Sequence, residues 1–270
     1  MFYISLPTYW PLFPMLFLLA SCEEVIDVDL NTANPQMVVE ASLSDEPGSY
    51  RVKLSRTVNF DETNSYPPVS NALVVISDDA GRVDTLRESA EAGVYRTQTA
   101  LAGKYGRRYN LKIEVEGLVL TASSTLPQAV DLDSITTTTS TFGGDETIQI
   151  VPNFRDPAGL GNYYRFIQYN NDKRLKVIFV LDDQNSDGLN ITRPLFNTSD
   201  DEVLVGDSVQ VEMQSIDAAN YRYFFALSQI SADSGPNASA TPANPDSQFG
   251  KAALGYFSAY SVRRKGILIK

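Results

Sequence analysis

Tyr50, Val52 and Leu54 alternate with Arg51, Lys53 and Ser55. A period of two places the apolar side chains on one face of an extended strand and the polar ones on the other, which a helix cannot do. The pattern returns at Tyr109, Leu111, Ile113 and Val115, and Glu116-Gly117 then turns the chain into Leu118 and Leu120 as a β-hairpin. Leu73 to Ile76 is a solid apolar run closed by Ser77-Asp78-Asp79-Ala80-Gly81, residues that tolerate the backbone angles of a turn. Met37-Val38-Val39 and Val94-Tyr95 add further strands. Short strands at spacings of about 10 residues with turn chemistry between them predict an antiparallel sandwich, covering residues 34–127.

Leu126-Pro127, followed by Asp131 and Asp133, marks a boundary, and residues 128–270 read as a second β-rich domain with one α-helix. Thr136 to Thr139, Thr147 to Pro152, Tyr163 to Tyr169 and Ser208 to Met213 carry strand signals, and Leu175 to Leu181 reads as a buried strand. Asp217 is placed to cap a helix over 218–231, with Tyr221, Phe224, Phe225 and Ser228 at helical spacing on one face. Residues 232–250, rich in Ala, Ser, Asn, Pro and Asp, predict a long exposed loop. Ala253 to Ser261 and Ile267 to Ile269 read as two closing strands. The expected fold class is therefore mainly β, and the order of the Ala72 to Ser77 strand, the Asp78 to Gly81 turn, Gly93-Val94-Tyr95, Gly106 and Tyr109 to Leu111 gives the antiparallel sandwich over 34–127 a resemblance to immunoglobulin-like modules.

Composition removes whole classes of chemistry. The chain has no histidine and one cysteine, Cys22, so Ser-His-Asp and Cys-His catalysis and His- or Cys-ligated zinc or copper are excluded. Asp and Glu number 33 against 22 Lys and Arg, a net charge of −11 with no basic cluster, which argues against nucleic acid as a partner.

The N-terminal segment 1–21 is uncharged and apolar from about Trp10 to Ala20, too short to span a bilayer, and interrupted by Pro11 and Pro14. It ends in Leu19-Ala20-Ser21-Cys22, the pattern of a bacterial lipobox, although the usual positive n-region is missing. The expectation is a cleaved signal, with Cys22 as the first mature residue, lipidated on sulfur and anchoring the chain to a membrane. Two or three acyl chains hold stably where one does not. Residues 22–33, with Glu23, Glu24, Asp27 and Asp29, then form an acidic tether resembling an export signal to the outer face of the outer membrane.

The lipobox followed by Val25-Ile26-Asp27-Val28-Asp29-Leu30 and Met37-Val38-Val39-Glu40-Ala41, together with Asp45 to Tyr50, Leu54 to Thr57, Val69 to Ala72 leading into Ile76 to Asp79, and the closing Ala253 to Phe257 with Tyr260 to Val262, resembles a Bacteroidetes lipoprotein family, domain of unknown function 4249. The resemblance spans nearly the whole mature chain. It implies a β-rich lipoprotein of the outer membrane, exposed at the cell surface, and an accessory role beside TonB-dependent uptake receptors. It implies no catalytic residues.

Asp183-Gln184-Asn185-Ser186-Asp187-Gly188 matches the start of a calcium loop, with Asp183, Asn185 and Asp187 as oxygen ligands and a glycine for the bend. The twelfth position is Pro194 where a bidentate carboxylate belongs, leaving Asp200, Asp201 or Glu202 to supply it, and a polar hairpin turn is the favoured alternative. Tyr163, Tyr164, Tyr221, Tyr223, Tyr256 and Tyr260 are candidates for stacking on sugars or apolar peptides. Asp84-Thr85-Leu86, Asp133-Ser134-Ile135 and Asp207-Ser208-Val209 resemble an O-glycosylation acceptor motif. The sequence thus leads to a non-enzymatic, lipid-anchored envelope protein without a cofactor other than possible calcium. Its expected role is that of accessory or ligand-binding partner of a TonB-dependent receptor, its ligand unidentified. A structural or adhesive surface lipoprotein and a carboxylate-based glycan hydrolase are the alternatives.

Overall fold

Strand β1 (Met37–Ser44) buries every second residue along its length, with Met37, Val39, Ala41 and Leu43 inward, as the period of two demands. The computed structural model describes residues 34–58, 66–142, 145–196, 202–231 and 244–270. The signal, Cys22, the acidic tether, Asp200, Asp201 and residues 232–243 of the expected loop lie outside the described residues.

β1 pairs antiparallel with β2 (Arg51–Arg56), which pairs with β5 (Val94–Arg96). β3 (Leu73–Asp78), β4 (Val83–Glu88), β6 (Arg108–Val115) and β7 (Leu118–Thr125) complete this half. β4 belongs to both sides: Val83 to Leu86 pair with β3, while Arg87 and Glu88 pair with β5. The sheet therefore folds back on itself at β4. Val39, Val52 and Leu54 from one side and Ile76, Leu111, Ile113 and Leu120 from the other share one core. Each such side chain contributes about 1.5–3 kcal/mol on burial, which is why alternation is enough to build this half.

The remainder holds β8 (Leu132–Phe142), β9 (Asp145–Arg155), β10 (Tyr163–Asn170), β11 (Lys173–Arg174), β12 (Phe179–Asp182), β13 (Asn190–Thr192), β14 (Ser208–Ile216), α1 (Ala218–Ser231) and β15 (Leu254–Leu268). β13, β9 and β8 form a three-stranded sheet. Its Leu132, Ile135, Ile150 and Phe154 share a second core with Tyr164, Phe166, Val209, Val211 and Met213 of β10 and β14. The described chain is thus mainly β, with one helix.

Three features differ from the sequence reading. The two closing strands are one continuous strand, β15, running through Arg263-Arg264-Lys265. Charges there do not end a strand, because Arg263 and Arg264 bond to carboxylates beside the sheet. β15 also pairs with β1 in parallel, Val38 to Leu254 through Ser44 to Tyr260, so the sheet is not purely antiparallel. Finally, only Phe179–Asp182 of the Leu175 to Leu181 run is strand, because Leu175 alone is buried and the four residues of β12 are each half-exposed.

β15 joins the two halves: β14 lies on its other side, and one 12-stranded sheet runs from β11 to β7. Phe249, Ala253, Phe257 and Ala259 sit in the first core, although they are distant from it in sequence. Residues Asn34–Lys270 accordingly form one compact unit.

Candidate functional site

The turn between β12 and β13 is built from its own sequence. Ser186 N–H donates to the Asp183 carbonyl at 2.9 Å and Leu189 N–H to the Ser186 carbonyl at 3.1 Å, with Gly188 left-handed at φ 69°. A facing loop from Pro157 to Asn162 carries Gly159 at φ 117° and Gly161 at φ 112°, which turns its N–H groups toward the carboxylates. Asp183 Oδ1 accepts from Gly161 N–H at 3.1 Å, and its Oδ2 accepts from Asn162 N–H at 2.9 Å. Asp187 Oδ1 accepts from Gly159 N–H at 2.6 Å. Asp156, at the end of β9 and fully buried, accepts from Gly188 N–H at 3.0 Å and from the Tyr164 hydroxyl. Burial first, and then that bond to Asp156, push the Tyr164 hydroxyl well above its ordinary value.

Asp183 and Asp187 therefore meet each other and a third carboxylate, Asp156, with one oxygen from each lying within 4.8 Å of the others. Three carboxylates at that spacing could hold a cation. Five of their six oxygens already accept a hydrogen bond, so the cluster also serves as a brace between two loops. Asn185 sits exposed on the turn between its two neighbours. Asp156 was missed in the sequence. Its signal was Asp156-Pro157 at the end of a strand, a turn start, and nothing in chain order places it opposite Asp183.

A groove runs from this turn along β12 and β13. Leu181, Ile191, Arg193 and Pro194 wall both of its parts, a recess of about 380 Å³ reaching Asn185 and Ser186 and one of about 240 Å³ rich in phenylalanine. The second part is lined by Phe154, Phe166, Phe179 and Leu195, with Phe196 and Phe225 at its rim, 61% and 46% exposed. Phe225 ends a ladder of stacked rings: Tyr163 to Tyr221 at 5.0 Å and Tyr221 to Phe225 at 5.8 Å between centroids. The Tyr221 hydroxyl donates to Asp182 Oδ2 at 2.8 Å, which fixes α1 to β12. Burial, and next that bond to Asp182, push Tyr221 up to about 12.

The remaining candidate tyrosines separate by packing. Tyr164 is 1% exposed and lies in the second core, so it cannot stack on a ligand. Tyr223 and Tyr256 pack on each other at 5.3 Å, and Tyr256 on Phe224 at 4.8 Å. Tyr163 and Tyr221 are the two brought together beside the groove. Thr85, Ser134 and Ser208, the hydroxyl residues of the three acceptor-like motifs, are all exposed on strands.

The sequence matches a family model, Domain of unknown function (DUF4249), over residues 23–266. The chain belongs to this family. The DUF4249 match takes in the first core, all of the second except Ile269, the three-carboxylate brace and the groove. No curated protein matches the chain. Among solved structures, a two-domain fibronectin type-III segment from chicken tenascin is similar at 10% identity and a TM-score of 0.22, covering 68% of the DUF4249 chain and 93% of its own. That TM-score supports no residue correspondence, and none is drawn.

Proposed function

We propose that this protein is a non-enzymatic lipoprotein of the outer membrane, exposed at the cell surface and held there by lipid on Cys22. In this reading its groove binds a ligand, and it serves a TonB-dependent uptake receptor as an accessory. The observation that carries ligand binding is the aromatic groove between β12, β13 and α1, with Phe196 and Phe225 exposed at its rim. Exposed large apolar side chains around a concave apolar recess mark binding sites more often than scattered surface residues do. The lipobox supports the anchor. The family resemblance supports the receptor partnership. The absence of histidine and the commitment of Cys22 to lipid support a non-catalytic role.

The test is recovery of the tagged lipoprotein from gently solubilised membranes, with co-purifying proteins identified by mass spectrometry. A TonB-dependent receptor in near-equal amount is the expected result, reduced when Phe196 and Phe225 are both changed to Ser. A protein recovered alone overturns the partnership and favours the adhesive or structural alternative.

A further inference from the structure

Arg165 stands on β10 on the face opposite Tyr164 and Phe166, the two neighbours that point into the second core. Its guanidinium lies over the Phe224 ring of α1, with Cζ 3.8 Å from the centroid. Among the described residues its side chain makes no hydrogen bond and no ion pair. Burial pulls its pKa below the usual arginine value, and the nearby Arg174 pulls it the same way.

The carboxylates that could have neutralised it are already engaged. Glu212, one row away on β14 opposite Ile167, accepts from Arg264 at 2.8 Å and from Gln214 at 2.6 Å. Glu40 faces Lys53 at 3.6 Å. The other groups felt by Arg165 are the phenols of Tyr256 and Tyr260, both raised chiefly by burial and therefore neutral. A desolvated cation without a hydrogen-bonded counter-ion is costly, and arginine is the side chain favoured for ion pairs out of water and for phosphate recognition.

Arg165 also lines a recess of about 330 Å³ formed against the irregular segment that follows β11, and Arg174 and Lys176 line the same recess. Arg174 pairs with Tyr169 in register, which puts it on the same face as Arg165. Neither Arg174 nor Lys176 has a side-chain carboxylate partner among the described residues. Three unpaired cations converge here on a chain of net charge −11. Stacking on Phe224 covers one face of the Arg165 guanidinium and leaves its N–H edges as a planar fork, the shape that takes two oxygens of one anion.

We propose that this recess binds the oxyanion of a small ligand, a carboxylate or a phosphate, with Arg165 as the fork and Arg174 and Lys176 at the mouth. The recess adjoins the aromatic groove, with Phe166 and Ile178 lining both, while its cations Arg165, Arg174 and Lys176 belong to the recess alone. The experiment follows the Arg165 Nε–H resonance by NMR in the soluble mature chain, while inorganic phosphate, and separately acetate, are titrated at constant ionic strength against sodium chloride. The expected result is a saturable shift with one or both anions and none with chloride. Saturation by phosphate alone assigns a phosphate-bearing ligand, by acetate alone a carboxylate, and by both the shared chemistry. Arg174→Gln with Lys176→Gln, both exposed and safe for folding, weakens the binding at least tenfold. Arg165→Lys, which keeps the charge and loses the fork, abolishes the saturable shift followed at the Arg174 Nε–H, the resonance of the arginine that lines the same recess. A shift that is linear in concentration, or matched by chloride, overturns the site.

Discussion

Glu212 is the charge on which the middle of the large sheet depends. Its side chain is 7% exposed and meets Arg264 at 2.8 Å across β14 and β15. Replacing Arg264 by Met leaves that carboxylate buried without its cation, which costs about 3 kcal/mol in urea denaturation; a loss under about 1 kcal/mol contradicts the pairing. Glu88 makes a prediction in pH. The Ser70 hydroxyl first, then the N–H groups of Gly93 and Asn71, hold its carboxyl below 4.5. A carboxyl depressed by folding contributes stability that is complete above its unfolded value and lost as pH falls through its folded value. The contribution is therefore present above about pH 4.5 and disappears on further acidification. Glu88→Gln flattens that part of the stability curve, measured as urea midpoints from about pH 5 to about pH 3; parallel curves exclude the mechanism. Gly255 shows a third constraint at this scale. A Cβ there would lie 1.9 Å from the Val39 carbonyl oxygen, at a φ of 117°, so the parallel pairing of β1 with β15 admits only glycine at this position.

At the scale of elements, α1 is tied down by its cap. Asp217 Oδ1 accepts from Asn220 N–H at 2.9 Å, three residues into the helix, while its Oδ2 accepts from the Ser124 hydroxyl at 2.6 Å and from Thr125 N–H at 3.1 Å. One carboxylate thus starts the helix and docks it on β7. Asp217→Ala costs about 1–2 kcal/mol for the cap alone and more for the lost dock. Circular dichroism should show the helical signal weakening before the β signal on heating; simultaneous loss at an unchanged midpoint argues against the docking role. The brace between the β9–β10 and β12–β13 connections makes the other prediction. With five of its six carboxylate oxygens accepting hydrogen bonds, saturating calcium changes the melting temperature by less than about 2 °C. A larger rise, reversed by EDTA and absent in Asp187→Asn, establishes Asp156, Asp183 and Asp187 as a calcium site instead.

For the whole molecule, the decisive element is β15. It supplies Phe257 and Ala259 to the first core, its Ile267 packs against the second, and Ile269 just past its end lies in the second, so both cores draw on this segment. Phe257→Ala, at 0% exposure, costs about 3–5 kcal/mol. It should lower the melting of both halves together, seen as coincident tyrosine fluorescence and circular dichroism transitions. Two separated transitions, with only the first shifted, would mean that residues 34–127 unfold on their own.

The local patterns were readable because their causes are local. Alternation at Tyr50 to Ser55, the Glu116-Gly117 turn and the Asp217 cap each depend on residues within one or two turns of chain, and each appears in the structure. The mainly β class followed from the same short-range signals, whereas the family resemblance rested on the order of short motifs from the lipobox to Tyr260-Ser261-Val262. What the sequence could not show is pairing over long separations. Parallel register between β1 and β15, Asp156 opposite Asp183 and Arg165 over Phe224 join residues that lie tens to hundreds of positions apart. Such contacts leave no periodicity in the chain. They are selected by which faces can be buried together, and that free energy exists only once the sheets have closed.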